Sequence, residues 1–158
     1  MTLDVTDIKI IDALVDDGRA SVEAVAERIG LSPTATRRRI RRLEGDKVIS
    51  AYRAEVDAEK AGLEIRIHVM VKLQTRDRRD IQKFEKAVET TPEIQSCDLV
   101  TGQYDYVLLI HLSSMKDYHK YLRQFLMGND AIGSIESNVV IGKIKRTPTL
   151  ALTAHDSR

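Results

Sequence analysis

Five arginines fall within six positions, Arg37, Arg38, Arg39, Arg41 and Arg42, with no acid among them. In an isolated helix they repel one another. A polyanion in front of them reverses that cost, and the DNA backbone carries about one charge per 1.7 Å of axis. The flanking residues say how the run is presented. Ser32 suits a helix N-cap, where its hydroxyl accepts from the unpaired N–H groups of the first turn, and Pro33 suits the first helical position. At about 100° per residue, Pro33, Thr36, Ile40 and Leu43 form an inward stripe. Thr34, Ala35, Arg38, Arg41 and Arg42 take the opposite face, with Arg37 and Arg39 on the flanks. A solvated charged surface is the competing reading. The preceding segment weighs against it: residues 21–29 read as a helix capped by Ser21, with Val22, Val25, Ala26 and Ile29 inward, and only Gly30 and Leu31 separate it from the next cap. Two short helices around a glycine turn, the second basic on its outer face, form a helix-turn-helix pattern.

That pattern divides the labour. Thr34, Ala35 and Arg38 lie in the N-terminal half, the part that reaches base edges; a bidentate Arg38–guanine contact is worth about 1–3 kcal/mol of discrimination. Arg37, Arg41, Arg42 and Lys47 are placed for phosphates, which give affinity and register but no sequence information. Ser32, at the start of the helix, is counted with the DNA-binding set. Arg39 sits nearer the core stripe, where an intramolecular salt bridge competes with a DNA contact.

The whole chain is not basic. Its 158 residues carry a formal net charge of +1, so binding to nucleic acid must come from local clustering. That length allows one sizeable domain or two small ones. Cys97 is the single cysteine, which excludes an intrachain disulfide framework and a four-cysteine zinc site; its neighbours Ser96 and Asp98 suggest a strand position and an unreactive thiol. His68, His111, His119 and His155 show no metal-ligand spacing. No phosphate-cradling glycine loop, nucleophile elbow or dinucleotide fingerprint appears, so neither an enzyme nor a cofactor is expected. No leader opens the chain and no apolar run nears the ~18 residues of a membrane span, so a cytoplasmic protein is expected.

The elements that position the arginines follow from periodicity. Residues 4–17 read as a first helix capped by Asp4, with Ile8, Ile11, Leu14 and Val15 on one face. Asp4, Asp7 and Asp12 fall on its outer side, turned away from DNA phosphates. Residues 48–54 look extended, the wing of a winged helix. The DNA-binding domain thus spans 1–56, a polar linker ending near Gly62 covers 57–63, and a second domain covers 64–158. There the pattern becomes alternating: Ile65, Ile67, Val69, Val71 and Leu73 mark a strand. Residues 76–79 read as a solvated charged loop. Ile81, Phe84, Ala87 and Val88 mark a helix closed by Pro92; strands follow at 94–101 and 105–112 around a turn at Gly102-Gln103-Tyr104. Ser114 and Asp117 suggest a capping box opening a helix with a Tyr118, Tyr121, Leu122, Phe125, Leu126 stripe, and a strand at 137–144 completes the order. The fold class is α+β, with a β-α-β-β-α-β ferredoxin-like second domain. In the third strand Tyr106, Leu108, Ile110 and Leu112 point one way and Val107 and Leu109 the other. Two helices cover only one sheet face, so the other implies a dimer built sheet against sheet.

The chain resembles the leucine-responsive regulator (Lrp/AsnC) family of transcription regulators. The resemblance rests on Asp7-Ile8-Lys9-Ile10-Ile11, Asp17-Gly18-Arg19, Leu31-Ser32-Pro33-Thr34, Arg39-Ile40-Arg41-Arg42-Leu43-Glu44, Val48-Ile49 and Thr101-Gly102-Gln103-Tyr104-Asp105-Tyr106, in that order over essentially the whole length. It implies a DNA-binding winged helix, a ferredoxin-like regulatory domain, and dimers that assemble further, often into octamers. It also implies control by a small effector, commonly an amino acid, bound between regulatory domains near the turn. The implied effector set is Gly102, Gln103, Tyr104, Asp105, Tyr106, Ile135 and Ser137. Asp105 would hold the effector's ammonium and free backbone N–H groups its carboxylate; alternatively, Gly102 and Asp105 only shape a hairpin. The chain departs from the family pattern at Lys47, where glycine is usual, at Ala131-Ile132 in place of glycine-valine, and at Ile135, usually polar. The tail at 147–152 has the family's extended look and would pair with a neighbouring subunit. The competing function is an architectural DNA-compacting protein with little sequence preference and no effector.

Overall fold

The computed structural model describes residues 2–123, 129–145 and 152. It separates into two compact units, one of Met1–Glu55 with the stretch from Lys145, the other of Val56–Ile144.

The first unit is built from α1 (Val5–Asp16), α2 (Val22–Ile29) and α3 (Pro33–Gly45). Each start is capped as its sequence dictates. Asp4 and Asp7 form a reciprocal capping box on α1, and Ser21 and Ser32 accept from the amides of Ala24 and Ala35. Gly30 ends α2 at φ 72°, a left-handed conformation costing most residues strain, which makes the tight turn into α3. Ile10, Ala13, Val25, Ile40 and Leu43 form the shared core, with Ile49 packed against it.

No wing strand forms. Residues 49–57 carry no regular structure, Val48 and Tyr52 are 40% and 48% exposed, and no strand among the described residues pairs with them. Part of this segment, with Ile11, Leu14 and Val15 of α1 and with Leu152, lines a cavity of about 210 Å³. Residues 147–151 of the tail lie outside the described residues.

Lys47 takes φ 60° immediately after α3. This is the left-handed conformation that the family's usual glycine adopts without strain, and a side chain there costs roughly 1–2 kcal/mol. Lys47→Gly is expected to stabilise the first unit by about 1 kcal/mol once glycine's greater unfolded-state entropy is set against the relief. A melting curve checks this, and an unchanged or lowered Tm contradicts it.

In the second unit β1 (Ile65–Leu73), α4 (Arg78–Glu89), β2 (Ile94–Leu99), β3 (Tyr106–Leu112), α5 (Met115–Tyr121) and β4 (Ile132–Val139) follow the ferredoxin-like order. The sheet is antiparallel in the order β2-β3-β1-β4. Its helix-side face supplies Ile67, Val69, Val71, Leu108 and Ile110, all fully buried, against Phe84 and Val88 of α4 and Tyr118 and Tyr121 of α5. The Phe84 and Tyr106 rings lie 5.0 Å apart. Cys97 packs on this core from β2, and burial pushes its thiol up to about 11, leaving it protonated at neutral pH.

The last strand is displaced from its expected place at 137–144. β4 pairs with β1 from Leu73↔Ile132 to Ile67↔Val139, and the amide of Val140 makes a further bond to Arg66. In that register Ile65, the first residue of β1, falls opposite position 141, so β1 offers Ile144 no partner. Ile141 and Ile144, which suggested a later strand, run past the sheet fully exposed. Phe125 and Leu126 of the expected helical stripe lie outside the described residues.

The other sheet face is mixed. Met70, Val107 and Leu109 form its centre on the two middle strands, beside His68. Ser96 and Asp98 of β2 and Ser134, Glu136 and Asn138 of β4 flank them. An apolar centre with a polar margin is the composition of an association surface.

Candidate nucleic-acid interface and ligand site

The arginines of α3 are sorted by acids elsewhere in the first unit. Asp7 is 1% exposed, not outward-facing as its place in the α1 pattern suggests. It accepts from Arg39 Nη1 at 2.9 Å and Arg42 Nη2 at 2.5 Å. Asp4 accepts from the same Arg39 nitrogen at 2.7 Å, and this bond holds the Asp4 carboxyl below its ordinary range. The hydrogen bonds that Arg39 donates to Asp4 and then Asp7 raise its own pKa further. Arg39 therefore makes the intramolecular bridge that competed with DNA contact. Arg42, expected at phosphates, is held against α1. The reason is geometric: the third residue of α1 turns its carboxylate back over the cap, toward α3. The Asp4-to-Asp7 spacing is itself a capping signal, and Arg39 and Arg42 are three residues apart on one face.

Three arginines remain. Arg37 meets Glu23 at 3.2 Å in a pair whose side chains are both more than half exposed, worth little in water. Arg38 and Arg41 are exposed and make no ion pair among the described residues. Thr34 and Lys47 are exposed too, and Ala35 is half-buried. Ser32 Oγ is occupied as the cap, accepting from the Ala35 amide at 3.3 Å. The outer face of α3 thus presents Thr34, Arg37, Arg38 and Arg41, a helix start with flexible cations behind it.

The residues around the turn divide differently. Gly102 holds φ 123°, a conformation open chiefly to glycine, and Gln103 is exposed beside it. Tyr104 donates from its hydroxyl to the Glu136 carboxylate, linking the turn to β4. Asp105 accepts from the Leu73 amide at 2.8 Å and from Lys72 Nζ at 3.2 Å. The Leu73 amide, then Lys72 and Arg76, hold its carboxyl below the ordinary range. Tyr106 is buried and donates to Glu85 at 2.7 Å.

Asp105 and Tyr106 also line an open cavity of about 290 Å³ with Lys72, Leu73, Thr75, Arg76, Ile81 and Leu99. Gly102, Gln103 and Tyr104 do not line it, and neither do Ile135 and Ser137. Those two lie on β4 facing the helices, Ile135 against the core and Ser137 bonded to the Tyr118 hydroxyl. Sequence reasoning missed Lys72 and Arg76. Lys72 was one of the polar alternates of β1, and Arg76 belonged to a loop read as solvated. The register Lys72↔Ser134 and the bond to Asp105 place Lys72 at the cavity.

A capped helix-turn-helix with an open basic face, joined to a ferredoxin-like unit holding a small charged cavity, defines a class: a DNA-binding regulator with a ligand-binding domain. The family models agree. Residues 3–44 match the AsnC-type helix-turn-helix domain and residues 66–150 the Lrp/AsnC ligand binding domain. The chain belongs to the Lrp/AsnC family of transcriptional regulators. It is 35% identical to the Bkd operon transcriptional regulator of Pseudomonas aeruginosa over 85% of this chain and 88% of that one. It is 34% identical to the leucine-responsive regulatory protein of Haemophilus influenzae over 95% and 90%. A crystal structure of a transcriptional regulator from Neisseria meningitidis in complex with L-Met superposes with a TM-score of 0.90 at 30% identity, covering 94% of this chain and 96% of that one. No helix among the described residues is long and apolar enough to cross a membrane.

Proposed function

We propose that this regulator reads double-stranded DNA through the outer face of α3 and that an amino acid bound beside Asp105 changes that reading. The observation that carries the first half is the pair Arg38 and Arg41, exposed and, among the described residues, without ion-pair partners on a capped helix. Arg38 lies toward the N-terminal half, which enters the major groove; Arg41 is a turn further back, at phosphate level. The cavity supports the second half. Lys72 and Arg76 offer cations to a ligand's α-carboxylate, and Asp105 retains acceptor capacity for an ammonium beyond its two present bonds. Leu73, Ile81 and Leu99 offer apolar surface to a side chain. The L-Met complex of the Neisseria relative is in keeping with such a ligand.

The centre of Met70, Val107 and Leu109 is the surface on which two copies pair, and these homodimers assemble further, toward an octamer. Pairing also supplies the two recognition helices that successive half-sites require. The protein acts in the cytoplasm as a regulator and not as an enzyme.

The test of DNA reading uses a duplex selected from a random pool by the wild-type protein. Arg38→Ala is expected to lose about 1–3 kcal/mol of preference for that duplex over a scrambled one. Arg41→Ala is expected to weaken both alike and to flatten the salt dependence by about one contact. Wild-type binding by both variants removes α3 as the reader.

A further inference from the structure

Asp7 does more than its place in the fold requires. A capping box needs one carboxylate oxygen for the Asp4 amide, bonded here at 3.2 Å. Contact between α1 and α3 is already secured by Ile10 and Leu43, both fully buried. Yet Asp7, at 1% exposure, also takes two guanidinium groups from α3. A buried carboxylate is tolerated only when such partners compensate its desolvation. The side chains of Arg39 and Arg42 remain 26% and 46% exposed, so both have solvent to swing into if released.

We propose that Asp7 is a positioning residue for DNA recognition, holding Arg39 and Arg42 against α1 so that Arg37, Arg38 and Arg41 are the arginines left to meet the duplex. This rests on the reading of α3 as the DNA-facing helix. Every arginine freed to a phosphate adds affinity for all sequences alike. A carboxylate buried behind the helix therefore sets how much of the binding is independent of sequence. It also ties α3 to α1 at two points along its length, which fixes the angle at which Thr34 and Arg38 are offered.

The count of phosphate contacts is measurable, because each contributes about 0.9 to the slope of log affinity against log salt. Over a fourfold range of salt one contact is roughly a 3.5-fold change in affinity. Binding of the full-length protein to a scrambled duplex is titrated at several salt concentrations. Arg41→Gln is expected to flatten the slope by about 0.9 and Arg42→Gln to leave it unchanged. Arg39 keeps its bond to Asp4 when Asp7 is neutralised. Asp7→Asn is therefore expected to release Arg42 alone and steepen the slope by up to about 0.9, and the double variant Asp7→Asn with Arg42→Gln to bring it back. A merely structural role for Asp7 would lower the melting temperature without that steepening and return. If Asp7→Asn does not fold, Arg42→Gln decides alone: a slope flattened as much as by Arg41→Gln places Arg42 on a phosphate and overturns the proposal. Wild-type protein showing no salt-dependent binding to any duplex is a different failure, which removes the DNA reading and this proposal with it.

Discussion

Leu109→Asp is expected to leave the chain folded but monomeric at micromolar concentration. Leu109 is half-buried in the single chain, on the sheet face away from α4 and α5, paired with His68 across β1. A carboxylate there is wetted in the monomer, so folding loses little. In a two-fold pair the same patch meets itself, so each association event buries two such charges. Desolvating an uncompensated charge costs several kcal/mol, which shifts a micromolar dimer by several orders of magnitude. Leu108→Asp is the control one residue away. Leu108 is fully buried on the helix side, and a charge there is expected to abolish folding of the second unit. Sedimentation of Leu109→Asp as the wild type sediments would move the subunit contact to another surface.

The second large effect concerns Asp105, where two substitutions are needed because the residue has two jobs. Its carboxylate satisfies the Leu73 amide and pairs with Lys72, so Asp105→Ala leaves a half-buried N–H unpaired. That costs about 1–3 kcal/mol of stability. Asp105→Asn keeps an acceptor for the amide and removes only the charge. It is expected to bind the selected duplex as the wild type does while losing the response to an amino acid. Coupling of this kind is typically about 1–3 kcal/mol, or about 5- to 150-fold in affinity, and is reciprocal. The arginines and Asp105 belong to different units, so an effector beside Asp105 is expected to act by favouring one arrangement of subunits over another. The carboxylate also gives a pH signature. Its folded pKa lies below the unfolded one, so its stabilisation is complete above the ordinary carboxylate range of about 3.9 and is lost as pH falls through the lowered value. Asp105→Asn is expected to flatten that part of the acid-stability profile. An intact amino-acid response would leave Asp105 as a hairpin residue alone, and an unaltered profile would mean that its bonds to Leu73 and Lys72 contribute nothing to stability.

Some of this was legible in the residues and some was not. Ser32, Pro33 and Gly30 announce α3 because caps and turns are local, decided by one hydroxyl, one ring or one left-handed backbone. The order of strands and helices in the second unit was legible for the same reason, since periods of two and 3.6 are properties of short segments. Failures arose where a distant partner decides. β4 cannot run to Ile144, because β1 begins at Ile65 and offers that residue no partner. Asp7 looked solvent-facing on the α1 wheel, and only the approach of α3 makes it a buried anchor. Residues 48–54 have a strand's composition but no strand beside them among the described residues. Lys72 and Arg76 read as solvent-facing charge until sheet register and the Asp105 bond brought them to one cavity.

DNA reading and amino-acid binding are proposed to be one coupled function of this protein. That coupling is tested most directly by titrating the wild-type chain against the selected and scrambled duplexes, with and without each common L-amino acid, L-Met first. The expected result is preference for the selected duplex and a change of at least about 5-fold in its affinity with one or more amino acids. Equal affinity for both duplexes, unmoved by every amino acid, would contradict it and leave a protein that coats DNA without reading it.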